Sequence, residues 1–163
     1  MLISKELNDG INAQIGHELH ASHQYVNVAT YFDSQALPKL AQYFYKQAEE
    51  EREHAMKFVK YVVDAGGTVV IPAVPAPQAV FASAEDVFEM AYNWEMEVTK
   101  NIYGLMEIAL KDKDYIAQQF LNWYTNEQLE EVSSMDQMLR IVRRAGERNL
   151  IMLEAYLIHA SED

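Results

Sequence analysis

Five glutamates and one histidine stand where the surrounding pattern calls for apolar side chains. The densest stretch is Gln47-Ala48-Glu49-Glu50-Glu51-Arg52-Glu53-His54. Its composition is that of a solvated acidic face, but its register is that of a core-facing helix. Leu40, Phe44, Gln47/Ala48, Glu51, His54/Ala55, Phe58, Tyr61/Val62 and Ala65 recur at threes and fours. Glu51 and His54 fall inside that stripe, one turn apart. A buried, unpaired carboxylate is costly, so the position demands a cation, a proton or a metal. Three other segments repeat the anomaly. Glu18 interrupts the seam Leu7, Ile11, Gln14/Ile15, Ala21/Ser22, Tyr25, Val28/Ala29, Phe32. Glu95 interrupts Val87, Ala91, Trp94, Val98, Ile102, Leu105, Ala109. Glu127 and Glu131 interrupt Ala117, Phe120, Tyr124, Ser134, Met138, Ile141, Ala145.

Charge accounting selects the chemistry. Four carboxylates (Glu18, Glu51, Glu95, Glu131) and one neutral imidazole (His54) balance two divalent cations. Hard oxygen donors with a single nitrogen suit iron or manganese better than copper, and zinc could bind without redox work. Glu51, central in the set, is the natural bridge between two metals ~3.5–4 Å apart. Gln128 neighbours the cluster as a neutral donor or acceptor that supports the ligands. Glu50, Glu127 and Glu130 lie one step around their helices from Glu51 and Glu131. Together with Glu131 they could hold a third, weaker cation, and each also fits an exposed acid in an acid-rich chain. Tyr25 fits a core tyrosine with a satisfied hydroxyl as well as it fits a functional group. His17, His20, His23 and His159 read as surface or interface histidines.

The elements that must position these groups are helices. The first runs from about Ser4 to Ser34, and Ser34-Gln35-Ala36-Leu37-Pro38 is a short turn that makes the second helix its antiparallel neighbour. Helix two, from about Pro38 to Ala65, ends at Gly66-Gly67. From Thr68 to Ala82 the text becomes Val69-Val70-Ile71 followed by Pro72, Pro75 and Pro77. With no partner strand elsewhere, this reads as an extended crossover covering about 45 Å at ~3.1 Å per residue. That matches a helix of roughly 28 residues at 1.5 Å each, so helix three can run parallel to helix two. Ser83-Ala84-Glu85-Asp86 opens helix three, Asp114 caps helix four and Gly146 stops it. A short fifth helix occupies about 147–160, with Leu150, Leu153, Leu157 and Ile158 as an apolar face that a partner chain would bury.

At 163 residues and half hydrophobic, the chain fits one domain with a sizeable core and no membrane-spanning run. The absence of cysteine excludes thiolate zinc and Cys-ligated iron–sulfur sites. A net charge of -12 argues against nucleic acid and anionic membranes and suits a protein that gathers cations. The N-terminus lacks the apolar region of a signal peptide, so the cytoplasm is the expected location.

These residues resemble those of the ferritin-like di-iron carboxylate family, which builds its metal sites in the core of a helix bundle. The resemblance covers the whole chain and is specific to the bacterial non-haem ferritins. Glu18 with Tyr25, Glu50-Glu51-Arg52-Glu53-His54, Glu95, and Glu127 to Glu131 as Glu-Gln-x-Glu-Glu stand at matching positions. It implies an all-α, antiparallel four-helix bundle (about 4–146) with one long crossover plus the short C-terminal helix. It further implies a ferroxidase centre that oxidises Fe(II) with O2 or H2O2. Glu18, Glu51 and His54 would hold one iron; Glu51, Glu95 and Glu131 the second, with Gln128 nearby. Glu50, Glu127, Glu130 and Glu131 would hold a third, and Tyr25 would supply an electron or orient a ligand. A hollow shell of twenty-four chains would store ferric mineral. Bacterioferritin differs in carrying a second Glu-x-x-His and a haem-ligating methionine where this chain has Arg52 and Glu53, so no haem is expected. Zero cysteines exclude the iron domain of rubrerythrins, and mini-ferritins lack the fifth helix. Two rival functions remain at this point: a ferritin-like oxidase acting on an organic substrate, and a metal-free acidic bundle.

Overall fold

Local signals set the helix ends in the computed structural model, which describes residues 2–160. The helix α1, Lys5–Ser34, is capped by Ser4, whose hydroxyl oxygen accepts from the Leu7 N–H at 3.2 Å. Ser83 caps α3, Ala84–Lys111, through the Asp86 N–H, and Asp114 caps α4, Tyr115–Ala145, through the Ala117 N–H. The helix α2, Pro38–Asp64, starts on proline and has no side-chain cap of its own. Its first amides are satisfied from across the fold. The buried Glu154 carboxylate accepts from Lys39 N–H at 2.8 Å and from Leu40 N–H at 2.9 Å. Glu154 belongs to α5, Ile151–Ala160, so a carboxylate on the positive end of α2 docks the last helix. Gly66, at φ +76°, ends α2 in a conformation that a side chain would strain.

Contacts between helix ends give the topology. Leu2 N–H donates to the carbonyl of Ala65, placing the start of α1 beside the end of α2. Lys111 pairs with Glu6, and Arg143 with Glu85 and Glu89, so α3 opposes both α1 and α4. The parallel course of α2 and α3 follows, as the length of the crossover predicts. The β-branched run in that crossover finds its partners in side chains rather than in another strand. Asn8 and Asn12 both donate to the Thr68 carbonyl and accept from Thr68 and Val70 N–H, at 2.9–3.1 Å. Gln24 does the same for Gln78 at 2.8 and 2.9 Å. Gly16 lies under Pro72, where a Cβ would come within 2.3 Å of the ring. Replacing Asn12 with Ala leaves the Val70 N–H unpaired and the Thr68 carbonyl held by Asn8 alone, and should cost about 1 kcal/mol. The expected result is a lower denaturation midpoint with faster amide exchange at Val70; exchange at the wild-type rate would show that the amide does not clamp the segment.

Each buried helix stripe faces a shared interior, but the apolar core is divided in two. One half gathers Tyr25, Phe32, Leu40, Phe44, Phe88 and Met135; the other Ile11, Ile15, Phe58, Val62, Ile102 and Tyr124. The glutamate layer lies between them. Helices α1, α2 and α3 bury the expected stripes. In α4 the register differs: the buried positions are Ala117, Leu121, Tyr124, Gln128, Glu131, Met135, Met138, Leu139 and Val142. Glu127 therefore sits at the edge, 29% exposed, and Gln128 takes the core position beside Glu131. In α5, Leu153 is buried and Leu157 packs against the first core half, whereas Ile158 faces outward with Ile151 and Met152. No helix of the described residues is long and apolar enough to cross a membrane.

Candidate metal centre

One carboxylate from each long helix reaches the layer between the core halves, and each is almost sealed from water. Glu18 and Glu95 are 1% exposed, Glu51 2% and Glu131 7%, with His54 at 5%. Neutral donors hold them in place. Gln14, one turn before Glu18 on α1, donates to its Oε1 at 2.9 Å. Gln47 on α2 reaches across to Glu131 Oε2, also at 2.9 Å. Tyr25 donates to Glu95 Oε1 at 2.6 Å, while Gln128 donates to Glu95 Oε2 at 3.3 Å. Tyr124 fixes the backbone beneath His54 by donating to its carbonyl at 2.7 Å.

What the donors leave over points inward. Glu18 Oε2 and Glu51 Oε1 are buried carboxylate oxygens with no hydrogen-bond partner. An oxygen of that kind carries its full desolvation cost unless a cation or proton meets it. Ligand atoms of Glu18, Glu51 and His54 converge within 4.8 Å of one another, and so do those of His54, Glu127 and Glu131. Four carboxylates with one imidazole are a hard-ligand set, suited to Fe(II) or Mn(II).

The electrostatics agree with a layer built for cations. Burial, then the charges of Glu95 and Glu18, pushes the Glu51 carboxyl well above the ordinary carboxylate range. Burial and the Glu131 charge push Glu95 up to about 8, against the opposing hydrogen bonds from Tyr25 and Gln128. Glu131 rises to about 7, mainly by burial, with the Gln47 hydrogen bond pulling the other way. Burial beside Glu95 and Glu51 raises the Tyr25 phenol, which keeps it a neutral donor. Without metal these groups hold protons that a divalent ion would displace.

The family model of the ferritin-like domain matches residues 8–145. The chain belongs to that family. A bacterial non-heme ferritin of Staphylococcus aureus is 38% identical over 146 residues, spanning 90% of this chain and 88% of the relative. Its counterpart in Staphylococcus saprophyticus is 36% identical over the same length, covering 87% of that relative. Among solved structures, an open-pore ferritin from the hyperthermophilic archaeon Archaeoglobus fulgidus superposes with a TM-score of 0.92 at 36% identity, covering 96% of both chains. This ferritin-like chain brings Glu18, Glu51, His54, Glu95, Gln128 and Glu131 into one buried layer, with Tyr25 bonded into it. Glu127 joins from the edge. Glu50 is half-buried and 3.4 Å from Lys46, and Glu130 is exposed. Gln14, Gln47 and Tyr124 were not among the expected site residues. The signal for the two glutamines was present: each occupies an apolar stripe where an amide has no reason to be unless it serves a buried acid.

Proposed function

We propose that this chain is an iron-storage ferritin with a ferroxidase centre inside its single helix-bundle domain. Fe(II) is the substrate. Glu18, Glu51 and His54 bind one ion and Glu51, Glu95 and Glu131 the other, with Gln128 holding Glu95. Each Fe(II) gives up one electron, so a pair reduces O2 to H2O2 or H2O2 to water with two protons taken up. Tyr25, bonded to Glu95, stands beside the reacting pair to supply an electron or orient a ligand. Fe(III) then passes inward past Glu50, Glu127, Glu130 and Glu131, a group that can hold a third ion, to be stored as mineral in a cytoplasmic cage of twenty-four chains. No haem takes part.

The observation that carries this reading is the pair of orphaned carboxylate oxygens, on Glu18 and Glu51, in a layer where Gln14, Tyr25, Gln128 and Gln47 hold other oxygens of Glu18, Glu95 and Glu131. The outward apolar residues Ile151 and Met152 of α5 support assembly, since a free chain would leave them in water. Oxygen uptake on Fe(II) addition, run beside gel filtration, tests the proposal. Fast uptake that saturates near two Fe(II) per chain is expected, from a particle of twenty-four 18.7 kDa chains, about 450 kDa. A small particle that consumes oxygen only with an organic substrate would make it an oxidase instead. No saturable Fe(II) binding under anaerobic conditions would leave an acidic structural bundle.

A further inference from the structure

One turn of α4 forms a seat for the His54 ring. Trp123 and Tyr124 meet it edge-on, with centroids 5.5 and 6.2 Å away and interplanar angles of 75° and 76°. Lys57 Nζ lies 3.5 Å above the Trp123 ring and covers the seat from outside. The imidazole is thus fixed edgewise between two carboxylates. Its Nδ1 faces Glu51 Oε2 at 3.3 Å, and its Nε2 faces Glu127 Oε1 at 3.8 Å. Glu131, also near the ring, already has its Oε2 engaged by Gln47. A neutral imidazole carries one N–H and one lone pair, and the partner of the first decides where the second points.

We propose that Glu127 is a positioning residue for His54: it accepts the Nε2–H and thereby aims the Nδ1 lone pair at the ion shared with Glu18 and Glu51. The Glu127 side chain is 29% exposed and has to close 3.8 Å to hydrogen-bond distance. Carboxylates behind metal-bound histidines act this way in general, fixing the tautomer and raising the basicity of the ligand. The role is distinct from that of a ligand to a third ion, because it acts on the first. The metal arm of the inference rests on the ferroxidase reading; the tautomer arm does not.

The test uses the assembled protein with Glu127→Ala and Glu127→Gln, read in two ways. Solid-state nitrogen NMR of sedimented, metal-free protein labelled at histidine reports the tautomer, with His54→Gln identifying the signal. Anaerobic Co(II) titration reports affinity and the number of ions bound. Wild type should show the Nε2–H form. Glu127→Ala should lose that form and bind Co(II) about 10- to 100-fold more weakly at the tightest site. Glu127→Gln, whose carbonyl still accepts the N–H, should resemble wild type in tautomer and in affinity at the tightest site. An Ala variant that keeps the wild-type tautomer overturns the inference, as does one whose tightest Co(II) site keeps its wild-type affinity. A wild type that binds no Co(II) removes the ferroxidase reading, and the tautomer then decides this one.

Discussion

Glu51→Ala is expected to abolish fast Fe(II) oxidation and saturable two-ion binding while leaving a chain that folds. Glu51 is 2% exposed, and the groups whose charges act on it come from all three of the other long helices: Glu95, Glu18 and Glu131. In the proposed centre Glu51 serves both ions, so its loss would not be confined to one. The oxidation rate should fall by more than about 100-fold, beyond the 10- to 100-fold typical of losing a partner behind a ligand. Stability should move the other way. The metal-free wild type keeps Glu51 Oε1 buried without a partner, and an unsatisfied buried polar atom costs about 1–3 kcal/mol. Glu51→Gln, which preserves volume and cannot ionise, should therefore match or exceed the wild-type melting temperature without metal. Rapid stoichiometric oxidation in either variant would show that the centre does not depend on a shared carboxylate. A metal-free Gln variant that melts well below wild type would show that Glu51 is structural.

Why Glu51 was legible and other parts were not comes down to which interactions are local. An acid at a helical core position announces itself by register alone, and Glu18, Glu51, His54 and Glu95 fall in stripes that the structure buries as expected. In α4 two stripes compete. Phe120, Glu127, Ser134 and Ile141 lie one residue before Leu121, Gln128, Met135 and Val142, and both sets share Tyr124, Glu131 and Met138. The structure buries the second set, because Met135 and Leu121 fill the core better than Ser134 and because Gln128 can bond to Glu95 and Thr99. That shift by one residue moves Glu127 from the core to the edge. The clamps on the crossover and the Glu154 cap were out of reach for a different reason. Asn8 and Thr68 are 60 residues apart and Leu40 and Glu154 are 114 apart, and no local period encodes such pairs.

The same raised carboxyls make stability a reporter of metal. In the folded, metal-free chain Glu95 holds its proton up to about 8 and Glu131 up to about 7, whereas the unfolded chain releases them near the ordinary 4.5. The native state therefore binds more protons across this window, and stability falls as pH rises. The loss begins above the ordinary carboxyl range, continues through about 7 and about 8, and levels off beyond. Each group contributes up to about 1.4 kcal/mol per pH unit while it is protonated only in the native state. Between pH 6 and 8 the two together should remove about 2–4 kcal/mol, or roughly 5–15 °C in melting temperature for a chain of this length. A bound divalent ion replaces those protons, so adding Co(II) or Zn(II) at pH 8 should restore the lost stability and release protons measurable by pH-stat. The stabilisation by metal should shrink as pH falls toward 6, because protons then compete for the same oxygens. Calorimetry with chelator and with metal across this range gives both curves. A metal-free melting temperature that stays flat or climbs from pH 6 to 8 would mean the buried glutamates already have partners, and the layer would then have no need of cations.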